Sequence, residues 1–180
     1  MDKPRIRAAT AADVPAIADI VDQAYRHYIA RIGKPPGPML DDYAARVSEG
    51  VVWVVEEGAV ITAIIVLLPT ANHLLLDNIA VSPARQGLGL GRRLLAFAEA
   101  EALRRGYHEI RLYTHKTMVE NQRLYASIGY EETGRGSEAA TTASSCASSL
   151  AVNQYIKGTQ LMGSSDPPFC KVSLLGSVLS

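Results

Sequence analysis

The spacing of apolar residues along the first part of the chain predicts two helices followed by a β-hairpin. From residue 14 to residue 28, apolar side chains recur at intervals of three, four and one, which is the pattern of an amphipathic helix, and we expect this helix to end near Gly33. Residues 39–49 predict a second helix, which Gly50 ends. Two β-branched runs, 51–56 and 59–68, flank Glu57-Gly58 and predict two strands joined by a tight turn.

The next part predicts a strand, a glycine-rich loop, a helix and another strand in succession. The apolar run Leu74–Val81 ends at Ser82-Pro83, and a helical pattern extends from about residue 89 to 105. Residues 109–113 alternate like a strand, 119–128 predict a short helix, and 130–135 begin a further strand. A strand–helix–strand unit after a hairpin implies one parallel pair in an otherwise antiparallel sheet. We therefore predict an α+β fold with a mixed, mostly antiparallel sheet flanked by helices.

Composition restricts the class of protein. The chain has 180 residues, of which 18 are Lys or Arg, 18 are Asp or Glu, and 48% are hydrophobic. A net charge of zero gives no electrostatic reason to expect a nucleic acid or an anionic membrane as partner. No apolar run reaches the roughly 20 residues that span a bilayer, and the N-terminal residues do not resemble a secretory signal. We expect a cytoplasmic protein, and the spacing of Cys146 and Cys170 indicates neither a metal nor a redox site.

The character of the sequence changes after residue 136. Residues 1–136 contain 32 of the 36 charged residues, whereas residues 137–180 contain ten serines and no amphipathic period. Small side chains and low charge argue against a stable element there, although they are compatible with a disordered linker. We predict one domain over residues 1–136 and a poorly ordered tail over residues 137–180.

The segment from Gln86 to Arg92 predicts a site for phosphate. Its alternate glycines let backbone N–H groups turn toward an anion, and the helix N-terminus that follows adds unsatisfied donors. A mononucleotide P-loop fits poorly, because Arg92-Arg93 stands where that motif has Lys followed by Ser or Thr. A dinucleotide-binding fold also fits poorly, because this loop follows several strands instead of the first. A third pattern fits best: residues 86–91 match Q/R-x-x-G-x-G/A after a strand that ends Ile-Ala-Val-Ser-Pro.

With this motif the sequence resembles the GNAT superfamily of acetyl-CoA-dependent N-acetyltransferases. The resemblance covers residues 5 to about 138 and is strongest over residues 76–95 and 120–130. The second of these segments, ENQRLYASIGY, is similar to the family's N-x-x-L-Y-x-x-x-G-[FY]. The family's fold implies a V-shaped splay after the strand Leu74–Val81. Its activity implies direct transfer of acetyl from acetyl-CoA, the co-substrate, to a primary amine, without a metal.

The resemblance also implies which residues bind the co-substrate. The loop would hold the pyrophosphate of CoA, and the freed end of the strand at Ile79 and Val81 would bind pantetheine like another strand. Asn121 would bind pantetheine through its amide, or would instead cap its helix. The implied cofactor-binding residues are Ile79, Ala80, Val81, Gln86, Gly87, Leu88, Gly89, Leu90, Gly91, Arg92 and Asn121.

Two residues are candidates for the proton transfers. Tyr125 matches the family's usual acid for the leaving thiolate, although the same tyrosine could simply pack its helix on the core. Asp77 shares strand parity with Ile79 and Val81 and is the candidate base, with a water relay as the alternative. Tyr25 is interpreted as a core residue.

The end of the sequence departs from the family pattern. Family members normally finish with a strand that reads roughly G-Y-x-R-V-x-M-x-K, and no such sequence follows residue 136. Residues 139–150, AATTASSCASSL, can be back-translated so that a shifted frame encodes G-Y-D-R-V-F-M-R-K-L. We hypothesise a one-base deletion near Ala139 that puts the tail out of frame and impairs activity.

These observations predict an N-acetyltransferase whose acceptor is a small-molecule or peptide amine. The alternative is a non-catalytic acyl-CoA-binding module or a truncated pseudoenzyme, which the unusual tail favours. The sequence does not identify the acceptor, and a homodimer, common in the family, stays open.

Overall fold

A computed structural model describes residues 4–115, 117–136 and 149–155. In this part of the chain seven strands form one sheet in the order β1-β2-β3-β4-β5-β7-β6. All neighbouring strands pair antiparallel except β4 and β5, which pair parallel. The predicted α+β fold with a mixed, mostly antiparallel sheet is confirmed. The strands are β1 Arg5–Ala8, β2 Val52–Glu57, β3 Val60–Pro69, β4 Leu74–Val81, β5 Glu109–His115, β6 Glu131–Gly136 and β7 Ser149–Tyr155.

The two helices at the N-terminal end of the chain are less regular than the apolar pattern predicts. The first ends at Gly33 as predicted, but a 3-10 turn divides it into a helix over Val14–Tyr25 and a four-residue helix. The second predicted helix begins only at residue 43, because the side chain of Asp42 caps it by accepting from the Ala45 N–H at 3.0 Å. No helix among the described residues is long and apolar enough to cross a membrane. The helices are α1 Val14–Tyr25, α2 Ile29–Ile32, α3 Tyr43–Ser48, α4 Leu90–Arg104 and α5 Val119–Ser127.

Both faces of the sheet are covered by helices, which gives two apolar cores. On one face, the apolar stripe of α4, including Leu94 and Ala98, packs with Leu76 of β4 and with β5. On the other face, Ile17 and Val21 of α1 pack with β2 and β3. The central strands are therefore buried on both sides, which explains their continuous apolar sequence.

A β-bulge interrupts β4 at Asp77 and changes which side chains face each core. The β3–β4 register moves from Leu67 opposite Leu76 to Val66 opposite Asn78, so Asp77 is the extra residue. The parallel pairing of β4 with β5 also ends at Leu76. The predicted splay is confirmed, and it begins at the bulge inside β4 instead of after the strand.

The structure differs from the prediction of a poorly ordered tail at residues 149–155. These residues form β7, which pairs with β5 along its whole length and with β6 on its other side. Backbone pairing requires an extended chain but no particular side-chain pattern, so the strand does not need the family's usual sequence. The rest of the tail, residues 137–148 and 156–180, lies outside the described residues.

Candidate active site

Two cavities meet where β4 leaves β5. The glycine-loop cavity, of about 610 Å³, lies between residues 86–92 and the end of β4. The proline-loop cavity, of about 550 Å³, lies beside residues 34–38, the stiff segment Lys-Pro-Pro-Gly-Pro. Four residues line both cavities: Tyr25, Ile79, Asn121 and Tyr125. Molecules bound in either cavity would therefore contact these four residues.

The glycine loop has the backbone geometry of an anion site. Gly87 has φ +77° and Gly89 has φ +82°, a region that residues with a Cβ rarely adopt. Gly89 is also the N-cap of α4, so the unpaired N–H groups and the positive end of a 15-residue helix face this cavity. All the predicted cofactor-binding residues except Leu88 line it. The side chain of Leu88 is 66% exposed instead.

Side chains brace the loop against the strand that precedes it. The Gln86 side chain donates from Nε2 to the carbonyl of Val81 at 3.1 Å. Arg85 forms an ion pair with Glu57, with 3.1 Å between Nη2 and Oε2. Of the two adjacent arginines at the start of α4, Arg92 lines the cavity, whereas Arg93 donates to the Pro4 carbonyl. Arg92 is thus the arginine available to an anion.

The end of β4 provides a second set of backbone groups. Ile79 and Val81 pair with β3 on one side and lie beyond the last ladder pair with β5 on the other. An extended ligand along this free edge would take the place of a neighbouring strand. The hydroxyl of Tyr25 already approaches the edge, at 3.2 Å from the carbonyl oxygen of Ile79.

Tyr125 combines the two interpretations that the sequence left open. Its side chain is only 5% exposed and belongs to the core beside α4, yet it lines both cavities. Burial raises the pKa of its phenol above the usual value, so the group is protonated at neutral pH. Asn121, one turn earlier on α5, also lines both cavities. The N-cap of α5 is Met118, so Asn121 does not cap this helix.

The comparisons with known proteins agree with this geometry. Residues 48–132 match the family model described as the acetyltransferase (GNAT) domain. This segment, slightly less than half of the chain, is a GNAT acetyltransferase domain. A search of curated protein sequences finds no match. The recognition of this family from the sequence is confirmed.

Three solved structures titled as acetyltransferases share this fold at low sequence identity. One is the ribosomal-protein-S18-alanine N-acetyltransferase from Escherichia coli, with 21% identity and TM-score 0.68 over 88% of this chain and 97% of that one. The PaiA N-acetyltransferase from Thermoplasma acidophilum, in complex with coenzyme A, has 15% identity and TM-score 0.70 over 85% and 99%. YncA, a putative acetyltransferase from Salmonella typhimurium with acetyl-CoA, has 22% identity and TM-score 0.66 over 90% and 99%.

The bulge determines the position of Asp77, and the position that strand parity predicts from the sequence is wrong. The bulge breaks the strand parity, so Ile79 and Val81 pack toward the α4 core while Asp77 lines only the proline-loop cavity. Burial raises the pKa of its carboxyl, the positive charge of Arg46 opposes this, and the negative charge of Asp41 adds to it. The side chain nevertheless keeps solvent-accessible surface, which limits the size of the shift. A carboxylate with a raised pKa is a better proton acceptor than an ordinary one.

Sequence reasoning missed Asn78 and Tyr43. Asn78 is 2% exposed and Tyr43 is 6% exposed, and one hydrogen bond, from Asn78 Nδ2 to the Tyr43 hydroxyl, joins the two side chains between β4 and α3. A polar residue within the apolar run of β4 was the signal for Asn78, because a buried amide needs partners. No group of three or more potential metal ligands occurs among the residues that the structure describes.

We expect Asp77→Asn to stabilise the protein at neutral pH. Because the folded pKa is raised, the cost of ionising Asp77 grows as the pH rises above the ordinary pKa of an unfolded Asp, is complete above the folded pKa, and vanishes only at low pH where both states are protonated. Thermal unfolding should show Tm higher by about 1 to 2 °C at pH 7.5, since solvent still reaches the carboxyl, and a smaller difference near pH 3.5.

Asp13→Asn provides the control with the opposite sign. Arg7 holds the pKa of the Asp13 carboxyl well below its usual range through two hydrogen bonds of 2.7 and 2.9 Å. Its ionised form therefore stabilises the fold at neutral pH, and this substitution should lower Tm there. A lower Tm for Asp77→Asn at pH 7.5 would contradict the assigned environment.

Proposed function

We propose that this protein is an N-acetyltransferase that moves acetyl from acetyl-CoA to a primary amine by direct attack. The observation that carries the proposal is the meeting of the two cavities at Tyr25, Ile79, Asn121 and Tyr125. A thioester placed in one cavity and an amine placed in the other would be adjacent there. No covalent enzyme intermediate is then needed, because proximity itself lowers the barrier.

The glycine-loop cavity is proposed as the site of acetyl-CoA. The N–H groups around Gly87 and Gly89 would bind the pyrophosphate, with Arg92 adding positive charge. The free edge of β4 would bind the amide groups of pantetheine. Structures with the same fold in complex with coenzyme A and with acetyl-CoA support this use of the cavity.

The proposed reaction needs one proton removed and one supplied. The neutral amine attacks the thioester carbonyl, and a backbone N–H of the β4 edge stabilises the negative oxygen of the tetrahedral intermediate. The C–S bond then breaks, the electron pair stays on sulfur, and Tyr125 donates its proton to the thiolate. Asp77 takes the proton from the amine directly or through water. Its raised pKa suits this role at neutral pH.

The second candidate function is an acyl-CoA-binding module without turnover. The sequence of the tail favours it, because residues 137–180 lack the final strand sequence of the family. The frameshift hypothesis explains the same observation as a change in the gene. Both candidates share the glycine-loop cavity and differ in whether any amine is acetylated.

An amine panel distinguishes the two candidates. CoA release is followed with DTNB over an arylalkylamine, a diamine, an amino acid, an aminoglycoside and a peptide with a free N-terminus. A blank without acceptor corrects for Cys146 and Cys170. The panel is run on this chain and on a version with the reading frame restored near Ala139. Saturable binding of acetyl-CoA without turnover by either version would contradict the enzyme and support the module.

We expect Tyr125→Phe to lower kcat by about 10- to 100-fold, because the thiolate would leave without a proton donor. The dissociation constant of acetyl-CoA should change less than twofold. The kcat is measured with the best amine of the panel, and the dissociation constant is measured by calorimetry.

Tyr130→Phe is the matched control for this substitution. Tyr130 is 4% exposed, its ring centroid lies 5.9 Å from that of Tyr125, and its hydroxyl has no partner among the described residues. Its loss should leave kcat unchanged. Equal losses of kcat and of acetyl-CoA affinity in Tyr125→Phe would argue against its role as the acid.

We expect Gly89→Ala to weaken acetyl-CoA binding by about tenfold or more. A Cβ meets no atom within 4 Å, so the cost is backbone strain at φ +82°, of about 1 to 2 kcal/mol, which distorts the loop. Gly58→Ala introduces the same strain at φ +63° in the β2–β3 turn, away from both cavities. Calorimetric titration should show weakening for Gly89→Ala only, and equal weakening in both would contradict an anion site in the glycine loop.

A further inference from the structure

A buried relay of hydrogen bonds connects the free edge of β4 to the proline loop. The hydroxyl of Tyr25 donates to Asn78 Oδ1 at 2.7 Å, and Asn78 Nδ2 donates to the Tyr43 hydroxyl at 2.8 Å. The Tyr43 hydroxyl donates to the carbonyl of Pro38 at 2.8 Å. All three side chains are less than 8% exposed. The relay thus joins three elements, α1, β4 and α3, to one wall of the proline-loop cavity.

In this arrangement the hydrogen atoms fix the direction of the relay. Each tyrosine hydroxyl has one hydrogen, and the Pro38 carbonyl can only accept, so Tyr43 must receive its own hydrogen bond from Asn78 Nδ2. The amide oxygen of Asn78 therefore faces Tyr25, which must be the donor. Each group thereby determines the orientation of the next.

The relay has a second arrangement with the same number of hydrogen bonds. The Tyr25 hydroxyl lies 3.2 Å from the Ile79 carbonyl oxygen and can turn its single hydrogen there. A rotated Asn78 amide would then donate to Tyr25 and accept from Tyr43. The Ile79 carbonyl would be bonded and the Pro38 carbonyl released. The two arrangements therefore differ in which carbonyl is hydrogen-bonded, that of Pro38 at the proline-loop cavity or that of Ile79 at the free edge of β4.

We propose that Asn78 and Tyr43 are positioning residues that couple occupation of the glycine-loop cavity to the proline loop. The inference rests on the proposed function, in which an N–H of pantetheine binds the Ile79 carbonyl. The pantetheine N–H would take one lone pair of that carbonyl and make it a poorer acceptor, so the Tyr25 hydrogen turns to Asn78 and the Tyr43 hydrogen to Pro38. Binding of the acetyl donor therefore favours one arrangement of the wall against which the amine acceptor lies.

Hydrogen exchange of the proline loop tests the coupling without turnover. The reporters are the amide of Gly37 in the loop and those of Met39 and Leu40 directly after it, compared with and without saturating CoA, in wild type and in Tyr43→Phe. CoA should slow exchange at least threefold in wild type and have no effect in Tyr43→Phe, whose ring packs as before but cannot donate to Pro38. The affinity for CoA should differ less than twofold between the two proteins.

Kinetics provide a second readout when an acceptor from the panel is available. Tyr43→Phe should raise KM for the amine by about 5- to 10-fold, with kcat within twofold of wild type. This is the effect expected when the wall loses the hydrogen bond from Tyr43 to the Pro38 carbonyl. Tyr107→Phe is the matched control, because its hydroxyl donates to the Thr70 carbonyl at 2.7 Å and it lines neither cavity. It should change neither exchange in the proline loop nor KM.

A second variant tests whether lost protection in Tyr43→Phe reflects the broken relay or a general loss of stability. Tyr25→Phe leaves the Ile79 carbonyl to the ligand, so CoA affinity should be kept while the CoA-dependent protection of the proline loop disappears. CoA binding with the same protection in wild type and both variants, or with none in wild type, would overturn the relay alone. Failure of wild type to bind CoA would overturn the proposed function together with the relay.

Discussion

The β-bulge at Asp77 is the constraint on which the site depends. Before the bulge, Leu74 and Leu76 face the α4 core, and after it Ile79 and Val81 do. A regular strand would turn the residues after Leu76 to the opposite faces, because side chains alternate with a period of two. Asn78 would then lie in the α4 core without Tyr25 and Tyr43. One inserted residue therefore places the free strand edge, the relay and Asp77 at once.

The bulge also explains why the gap between β4 and β5 stays open. The parallel ladder ends at Leu76 and Leu112, and backbone groups beyond it need other partners. Side chains take over part of this role, since Tyr25 reaches the Ile79 carbonyl and Gln86 binds the Val81 carbonyl. Asn121 and Tyr125 of α5 line both cavities beside this free edge. The site is thus an interruption of the sheet that helices and loop side chains stabilise.

Features with a local physical cause could be predicted from the sequence, whereas features set by the register of two strands could not. The glycine loop was predictable, because positive φ at Gly87 and Gly89 and the start of α4 are encoded within a few residues. The bulge depends on the register of β3 against β4, and no glycine marks it, so strand parity gave the wrong face for Asp77. The relay joins Tyr25, Tyr43 and Asn78 across up to 53 positions. Only the polar residue inside β4 hinted at it.

The tail shows why a strand in the right place says little about the reading frame. β7 covers the edge of β5, and that pairing uses backbone groups that any residue except proline carries. The frameshift hypothesis concerns side chains, to which such pairing is nearly indifferent. The described residues that line both cavities all lie at or before Tyr125. An out-of-frame tail would therefore act on this part of the site through the stability of the sheet, by changing how strongly β7 pairs with β5. It would leave the composition of the glycine loop, the β4 edge and α5 unchanged.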